Sequence, residues 1–344
     1  MSKPEPPAGA QPDDPPFALA GEGAGGGAGD GVGAYETTGS QGVETRAGFI
    51  ALIGAPNAGK STLINALVGA KVAIVTPKVQ TTRSRVLGIA TQGASQLIFV
   101  DTPGIFSPRR RLDRAMVAAA WQGARDADRV ALLVDAAQRD AAEAAVPLID
   151  RLTEVGLPKV LVLNKIDQVR RSDLLALAQT LAERAGFERV FMVSALKADG
   201  VADLLTYFAE AVPVGPWLYP EDQLSDMPMR LMAAELTREQ LFLRLRQELP
   251  YALTVETETW EEDDEADPPS VRVGQVIYVE RESQRAIVLG KRGQMIKSVG
   301  QAARLELADI LEQTVHLKLF VKVRERWAED RDRYRDWDLD FDAS

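Results

Sequence analysis

Hydrophobic and polar positions follow two rhythms along this chain, and the rhythm changes once. Gly48-Phe49-Ile50-Ala51-Leu52-Ile53 is apolar throughout, the pattern of a strand buried on both faces. Residues 61–68 then space their apolar positions as an amphipathic helix that stops at Gly69. Residues 84–91 and 96–101 read as strands on either side of a hairpin turn at Gln92-Gly93-Ala94. Helices are expected over 112–127, 136–155, 172–185 and 201–211, with strands at 129–135, 159–164 and 189–194. Strands joined by helical crossovers predict a doubly wound α/β mixed sheet with one antiparallel edge from the hairpin. In such a sheet ligands bind at the carboxyl ends of the strands.

The alternation breaks at Pro213, Pro216 and Pro220, which places a linker at 213–228 between a domain at 46–212 and a second at 229–330. In the second, 230–248 and 294–311 read as helices, and 251–260, 271–280, 285–289 and 315–324 as strands. Leu253, Val255, Thr257 and Thr259 share one face of the first of these strands, and 261–267 is an acidic, solvated loop. This is a compact α+β domain. Residues 1–45 are rich in Pro and Gly and cannot bury enough apolar surface to offset their ordering entropy, so they are expected to be disordered. Residues 331–344 read as an acidic tail.

With 46% apolar residues, the 344-residue chain has ample material for two cores. It has no cysteine, which excludes disulfides and thiolate metal sites, and its single histidine, His316, argues against a histidine-based metal site or triad. No apolar run reaches membrane-spanning length, and the N-terminus lacks the basic-then-apolar pattern of a secretory signal, so a cytoplasmic protein is expected. A net charge of −10 disfavours nucleic-acid binding by the surface at large, so any RNA contact needs a local basic patch.

Four motifs fall in order at predicted strand ends. Gly54-Ala55-Pro56-Asn57-Ala58-Gly59-Lys60-Ser61, followed by Thr62, fits a phosphate loop between strand and helix. Its backbone N–H groups and the helix dipole point at phosphate oxygens. Lys60 would reach the β- and γ-phosphates, and the Ser61 hydroxyl would ligate Mg²⁺. Asp101-Thr102-Pro103-Gly104 closes the third strand: Asp101 can hold the magnesium through water, and the Gly104 N–H can meet the γ-phosphate, whose loss would release the loop beyond. Asn164-Lys165-Ile166-Asp167 closes the fifth strand. The Asp167 carboxylate accepts only, which suits the two N–H donors on the guanine edge; Asn164 can tie loops together and meet the base edge, and the Lys165 stem can lie along the ring. Ser194-Ala195-Leu196 closes the sixth, where backbone N–H groups can meet the guanine O6. Adenine would leave Asp167 unpaired, so the nucleotide is GTP or GDP.

Residues 71–85 join the first helix to the second strand and hold Thr81 and Thr82, either of which could complete the magnesium shell; Thr82 is favoured. The expected catalytic set is Lys60, Ser61, Thr82, Asp101 and Gly104. After Gly104 stands Ile105, where Ras-like switches place a water-orienting Gln, so intrinsic hydrolysis should be slow and helped by a partner or a monovalent cation such as K⁺, with Asn57 near it. Arg83 and Arg85 are expected to face solvent rather than act as internal arginine fingers.

In the second domain Gly290-Lys291-Arg292-Gly293, read as lying between a strand and a helix, fits the loop with which KH modules clamp single-stranded RNA. Arg285, Lys291, Arg292, Lys297 and Arg304 fall in a stretch with no acid. Ile287, Ile296 and Val299 are expected as core or groove wall, and Leu317, Leu319 and Val321 as strand core. Over residues 46–335 the chain resembles the bacterial Era family of GTPases. The resemblance rests on the four motifs, on Gln80-Thr81-Thr82-Arg83, on residues 218–226, 248–251 and 279–281, and on the Trp327 segment. It implies a GTPase domain followed by a type II KH domain, acting in assembly of the small (30S) ribosomal subunit and holding the 3′ end of 16S rRNA. It also implies association with the cytoplasmic face of the inner membrane. Phe106 replaces a His common in the family. A monomer is the default, and a GTP-dependent regulator whose second domain docks protein or membrane is the competing reading.

Overall fold

The computed structural model describes residues 44–343 except 79, 80, 84, 107 and 109. Residues 1–43 of the stretch 1–45 expected to be disordered, and Gln80, therefore lie outside the described residues.

The first domain is built on a sheet of six strands in the order β2-β3-β1-β4-β5-β6 among the described residues. These are β1 (Arg46–Gly54), β2 (Val86–Gln92), β3 (Ser95–Asp101), β4 (Arg129–Asp135), β5 (Lys159–Asn164) and β6 (Val190–Met192). β2 pairs antiparallel with β3 and the remaining pairs are parallel, as the hairpin and the crossovers predict. Burial on both faces follows the period-two alternation. In β1, Ile50 and Leu52 pack on one side with α1 (Lys60–Val68) and α5 (Val201–Ala211), through Leu63, Ile64 and Phe208. Ala51 and Ile53 pack on the other with α2 (Arg111–Arg125), α3 (Ala141–Thr153) and α4 (Arg171–Ala185), through Trp121, Ile149 and Leu181. α3 starts at Ala141 rather than at 136, because the chain turns at 136–140 before the helix begins.

The linker runs along the β2–β3 edge: Gln96 accepts from the backbone N–H groups of Leu218 and Tyr219 and donates to the Tyr219 carbonyl, and Asp226 accepts from Leu87 N–H.

The second domain orders its elements α6 (Met229–Arg244), β7 (Leu253–Asp263), β8 (Ser270–Val279), α7 (Glu282–Leu289), α8 (Gln294–Leu311) and β9 (Thr314–Val323). β8 is central, antiparallel to β7 and parallel to β9. One correction bears on function. Residues 285–289 are not a strand; they finish the helix α7. The Gln284 side chain accepts the N–H groups of Glu280 and Arg281 at the helix start, and Val288 is buried, while Ile287, expected in the core or groove wall, is 55% exposed. Val299 is fully buried, and Leu319 and Val321 pack on the same cluster.

The stretch expected as an acidic tail is also folded. Its α9 (Arg331–Asp336) and the residues after it bury Tyr334, Trp337 and Leu339 against Ala115 and Met116 of α2. The acids among the described residues here stay at the surface, interleaved with these apolar side chains, so the charge count concealed the packing.

Candidate nucleotide and RNA sites

The phosphate loop leaves β1 and enters α1 through two left-handed positions, Asn57 at φ 63° and Gly59 at φ 97°. At Gly59 a Cβ would lie 2.3 Å from Asn164 Nδ2, so only glycine fits there. Gly104 also leaves little room: its Cβ would be 2.9 Å from Pro56 Cα. The Ile105 N–H donates to Gly54 O at 3.1 Å. Lys60 is buried and donates to Gly54 O and Ala55 O, both at 3.1 Å. Burial lowers its ammonium to about 8, with the Asp101 carboxylate opposing.

Three oxygens converge beside it. Ser61 Oγ donates to Asp101 Oδ2 at 2.9 Å, Thr82 Oγ1 donates to the same oxygen at 3.1 Å, and the two hydroxyls are 3.1 Å apart. Asp101 is fully buried, and its Oδ1 has no partner among the described residues. Burial raises its carboxyl; Lys60 and the two hydroxyls oppose that. A hard, all-oxygen corner with an unsatisfied buried carboxylate oxygen fits magnesium. Thr81, the alternative to Thr82, is turned to its own turn, where its hydroxyl meets Thr76 Oγ1 at 2.7 Å and Lys78 O at 2.9 Å. Thr102 Oγ1 bonds Leu52 O at 2.7 Å, which fixes the start of the 102–104 loop. A cleft of about 580 Å³ opens over Pro56, Asn57, Lys60, Ser61, Thr82 and Gly104.

A second hollow of about 180 Å³ adjoins it, lined by Thr62, Asn164, Lys165, Asp167, Ser194, Ala195 and Leu196. Asn164 is buried and ties three loops: Nδ2 donates to Ala58 O at 2.9 Å, and Oδ1 accepts from Ala195 N–H at 3.0 Å. Lys165 sits at φ 64° and reaches Asn57 O at 2.8 Å and Asp135 at 2.5 Å. Ile166 packs into the core on the α3–α4 side of the sheet. Ser194 Oγ donates to Asp167 Oδ1 at 2.8 Å; this bond and the Lys197 ammonium hold the Asp167 carboxyl below its ordinary range, so it is an acceptor near neutral pH. Two of the N–H groups expected at the base edge also have acceptors within the protein: Ser194 N–H bonds Asp199 O, and Ala195 N–H bonds Asn164 Oδ1.

Arg83 does not face solvent. It is 5% exposed, donates to Leu253 O at 2.8 Å and lies 5.4 Å from the Trp327 ring centre. Arg85 Nε is likewise buried. These contacts belong to a wider set that sequence reasoning missed, in which the segment 71–85 is fastened to the second domain. Its start is tied to α1, with Asn65 accepting from Val72 and Ala73 N–H at 2.9 Å. Beyond that, Lys71 and Val75 N–H reach Glu239, Lys78 reaches the carbonyls of Phe242 and Leu245, and Arg238 reaches the Thr81 carbonyl.

In the second domain the Gly-x-x-Gly turn joins two helices, α7 and α8, rather than a strand and a helix. Gly290 (φ 70°), Arg292 (φ 53°) and Gly293 (φ 74°) all have left-handed φ, and a Cβ on Gly290 would meet Met295 Cβ at 2.6 Å. Lys291, Arg292 and Lys297 are exposed; Arg285 is half-exposed and paired with Glu282 at 2.6 Å. A tight turn that presents backbone and two cations to solvent is suited to a sugar-phosphate chain.

Fold and site together define a P-loop GTPase carrying a C-terminal KH domain. Residues 49–165 match the family model described as 50S ribosome-binding GTPase, and residues 248–328 match the KH domain model. The chain is 61% identical over 299 residues to GTPase Era of Rhizobium meliloti (strain 1021), covering 87% of this chain and 94% of that protein. It is 60% identical over 306 residues to GTPase Era of Sinorhizobium medicae (strain WSM419), covering 89% and 97%. Among solved structures, an Aquifex aeolicus Era variant bound to GDP·AlF4⁻ superposes with a TM-score of 0.78 at 34% identity, covering 85% of this chain and 99% of that one. Era in complex with MgGDPNP and nucleotides 1506–1542 of 16S ribosomal RNA gives 0.78 at 35% identity, covering 85% and 98%. The chain belongs to the GTPase Era family.

Proposed function

We propose that this chain hydrolyses GTP to GDP and phosphate, and that the nucleotide controls how its KH domain grips the 3′ end of 16S rRNA during assembly of the 30S subunit. The observation that carries the reading is a shared one: the segment with Thr82 at the phosphate corner is hydrogen-bonded to the first helix of the KH domain.

The chain's own residues divide the work. Backbone N–H groups of the phosphate loop, Pro56 having none, surround the phosphate tail, Asp167 accepts from the guanine edge, and Lys60 shifts from the loop carbonyls to the β- and γ-phosphates. Ser61 and Thr82 would hold Mg²⁺ directly and Asp101 through water, and the ion would neutralise phosphate charge. The Gly104 N–H meets the γ-phosphate. Ile105 can neither donate nor accept through its side chain, so water is poorly oriented and the intrinsic rate is slow. K⁺ is the proposed aid, beside the exposed Asn57; single-turnover rates that are equal in potassium and sodium would remove it from the account. Association with the inner membrane's cytoplasmic face follows from the family reading alone, and a monomeric state is the default assumption; among the described residues no helix is long and apolar enough to cross a membrane.

The test is the double variant Lys291→Glu/Arg292→Glu. Binding to a 16S 3′-end oligonucleotide should be lost while GTP turnover is kept. Replacing both by Ala should flatten the log–log salt dependence of RNA binding by about 1.4, the value for two single-strand phosphate contacts. RNA affinity that survives the charge reversal ends the RNA assignment and returns the second domain to a protein- or membrane-docking role.

A further inference from the structure

We propose that Arg238 and Glu239, on the first helix of the KH domain, are positioning residues for GTP hydrolysis: they hold the segment that brings Thr82 to Ser61 and Asp101. This rests on the reading of Thr82 as a magnesium ligand.

The segment has no helix or strand of its own among the described residues 71–78, 81–83 and 85. A loop of that length is held by what it touches. Glu239 accepts from the Val75 N–H at 2.7 Å and from Lys71 at 2.5 Å, and Lys71 also reaches Glu306 of α8. Ile74 is buried among Met232, Ala233 and Leu236 of α6. Lys78 caps the C-terminal end of α6 at the carbonyls of Phe242 and Leu245, where the helix dipole favours a cation. The last fastening lies closest to the chemistry. Arg238 is 1% exposed, its guanidinium is aimed by Glu235 through two bonds, and it donates to the carbonyl of Thr81, the residue before Thr82. That carbonyl bond fixes the peptide plane from which Thr82 projects.

A buried Arg–Glu pair adds little net stability, because desolvation offsets the attraction. A bond aimed at a carbonyl one residue from a metal ligand makes sense as positioning. Domain adhesion and positioning make different predictions. Adhesion lost would loosen the fold and every bound nucleotide alike. Positioning lost would slow hydrolysis and leave GDP affinity alone, because GDP lacks the γ-phosphate that needs Thr82 in place.

The experiment uses the full chain and reads single-turnover GTP hydrolysis, fluorescent-GDP affinity and melting temperature. Thr82→Ala should slow hydrolysis about 100-fold. Arg238→Ala should slow it about tenfold, the size of a lost hydrogen bond to a charged donor, with GDP affinity within about twofold. Arg238→Lys should recover part of that loss, since an ammonium can still reach the one carbonyl. Combining Thr82→Ala with Arg238→Ala should be no slower than Thr82→Ala alone, because Arg238 acts through Thr82. Glu239→Gln, nearly isosteric and still able to accept from the Val75 N–H, should cost about threefold, the size of one weakened hydrogen bond. An Arg238→Ala protein that hydrolyses at the wild-type rate, or a double variant that multiplies the two losses, overturns the inference while leaving Thr82 in its role. A wild-type rate in Glu239→Gln overturns the Glu239 half. A wild-type rate in Thr82→Ala removes the underlying reading itself.

Discussion

The phosphate loop and the segment that carries Thr82 meet at one corner, yet they are held in unlike ways. Asn164, Gly59, Pro56 and Gly104 lock the loop from within its own domain, over contacts that a single added Cβ would break. The 71–85 segment is fastened to its own domain at its start, and then to Glu239, Arg238, Phe242, Leu245 and Leu253 of the other domain. The difference teaches where a two-domain switch can sit. A loop locked by its own domain binds nucleotide in the same shape whatever the RNA domain does. A segment shared between domains lets each report to the other, since a ligand moves an equilibrium only through contacts that differ between states.

The sharpest way to break the self-contained half is Gly59→Ala. The left-handed φ and the 2.3 Å approach to Asn164 leave no room for a methyl, so GTP and GDP affinity should both fall by about 10³ or more, a loss measured by calorimetry. Binding within a few fold of wild type would show that the loop is more plastic than its contacts imply. Next is Asp167→Ala. A site built on a hydrogen bond to the base discriminates by roughly 10⁴, so most of the preference for GTP over ATP should vanish in competition binding while phosphate contacts persist. A preference that stays intact would place base recognition elsewhere.

The smallest effect concerns Lys60. Burial lowers its ammonium from 10.5 to about 8 in the free protein. Between those values the unfolded chain holds more protons than the fold, so through this group stability rises with pH there, while below about pH 8 the destabilisation is constant. Phosphates restore the charge. At about pH 8.5 GTP binding should therefore take up roughly three quarters of a proton at this site, read by calorimetry in buffers of differing ionisation enthalpy. Lys60→Met should lose that uptake; undiminished uptake would put the titration on another group.

The same contrast explains what could be read from the sequence. The loop, the two Asp motifs and the base corner are short patterns whose partners are neighbours in the chain or recur at strand ends, so they were legible, as was the mixed sheet with its hairpin edge. The fastening of 71–85 was not. Arg238, Glu235 and Glu239 look like an ordinary charged face on an amphipathic helix, and only packing turns them inward. Arg83 was misassigned to solvent for the same reason: its acceptor, Leu253 O, lies 170 positions away. Helix α7 was mistaken for a strand because Ala286-Ile287-Val288-Leu289 is apolar and partly β-branched, and its start lacks the Ser or Thr that marks an N-terminus. The folded end of the chain was hidden under its acids, with Trp337 and Leu339 carrying the packing.

The measurement that bears most directly on nucleotide control is the affinity of the full chain for a 16S 3′-end oligonucleotide, by fluorescence anisotropy, with Mg²⁺ and either GDPNP or GDP. The account predicts dissociation constants that differ by about fivefold or more, the lower end of ordinary coupling between sites. Equal constants in the two states would contradict it.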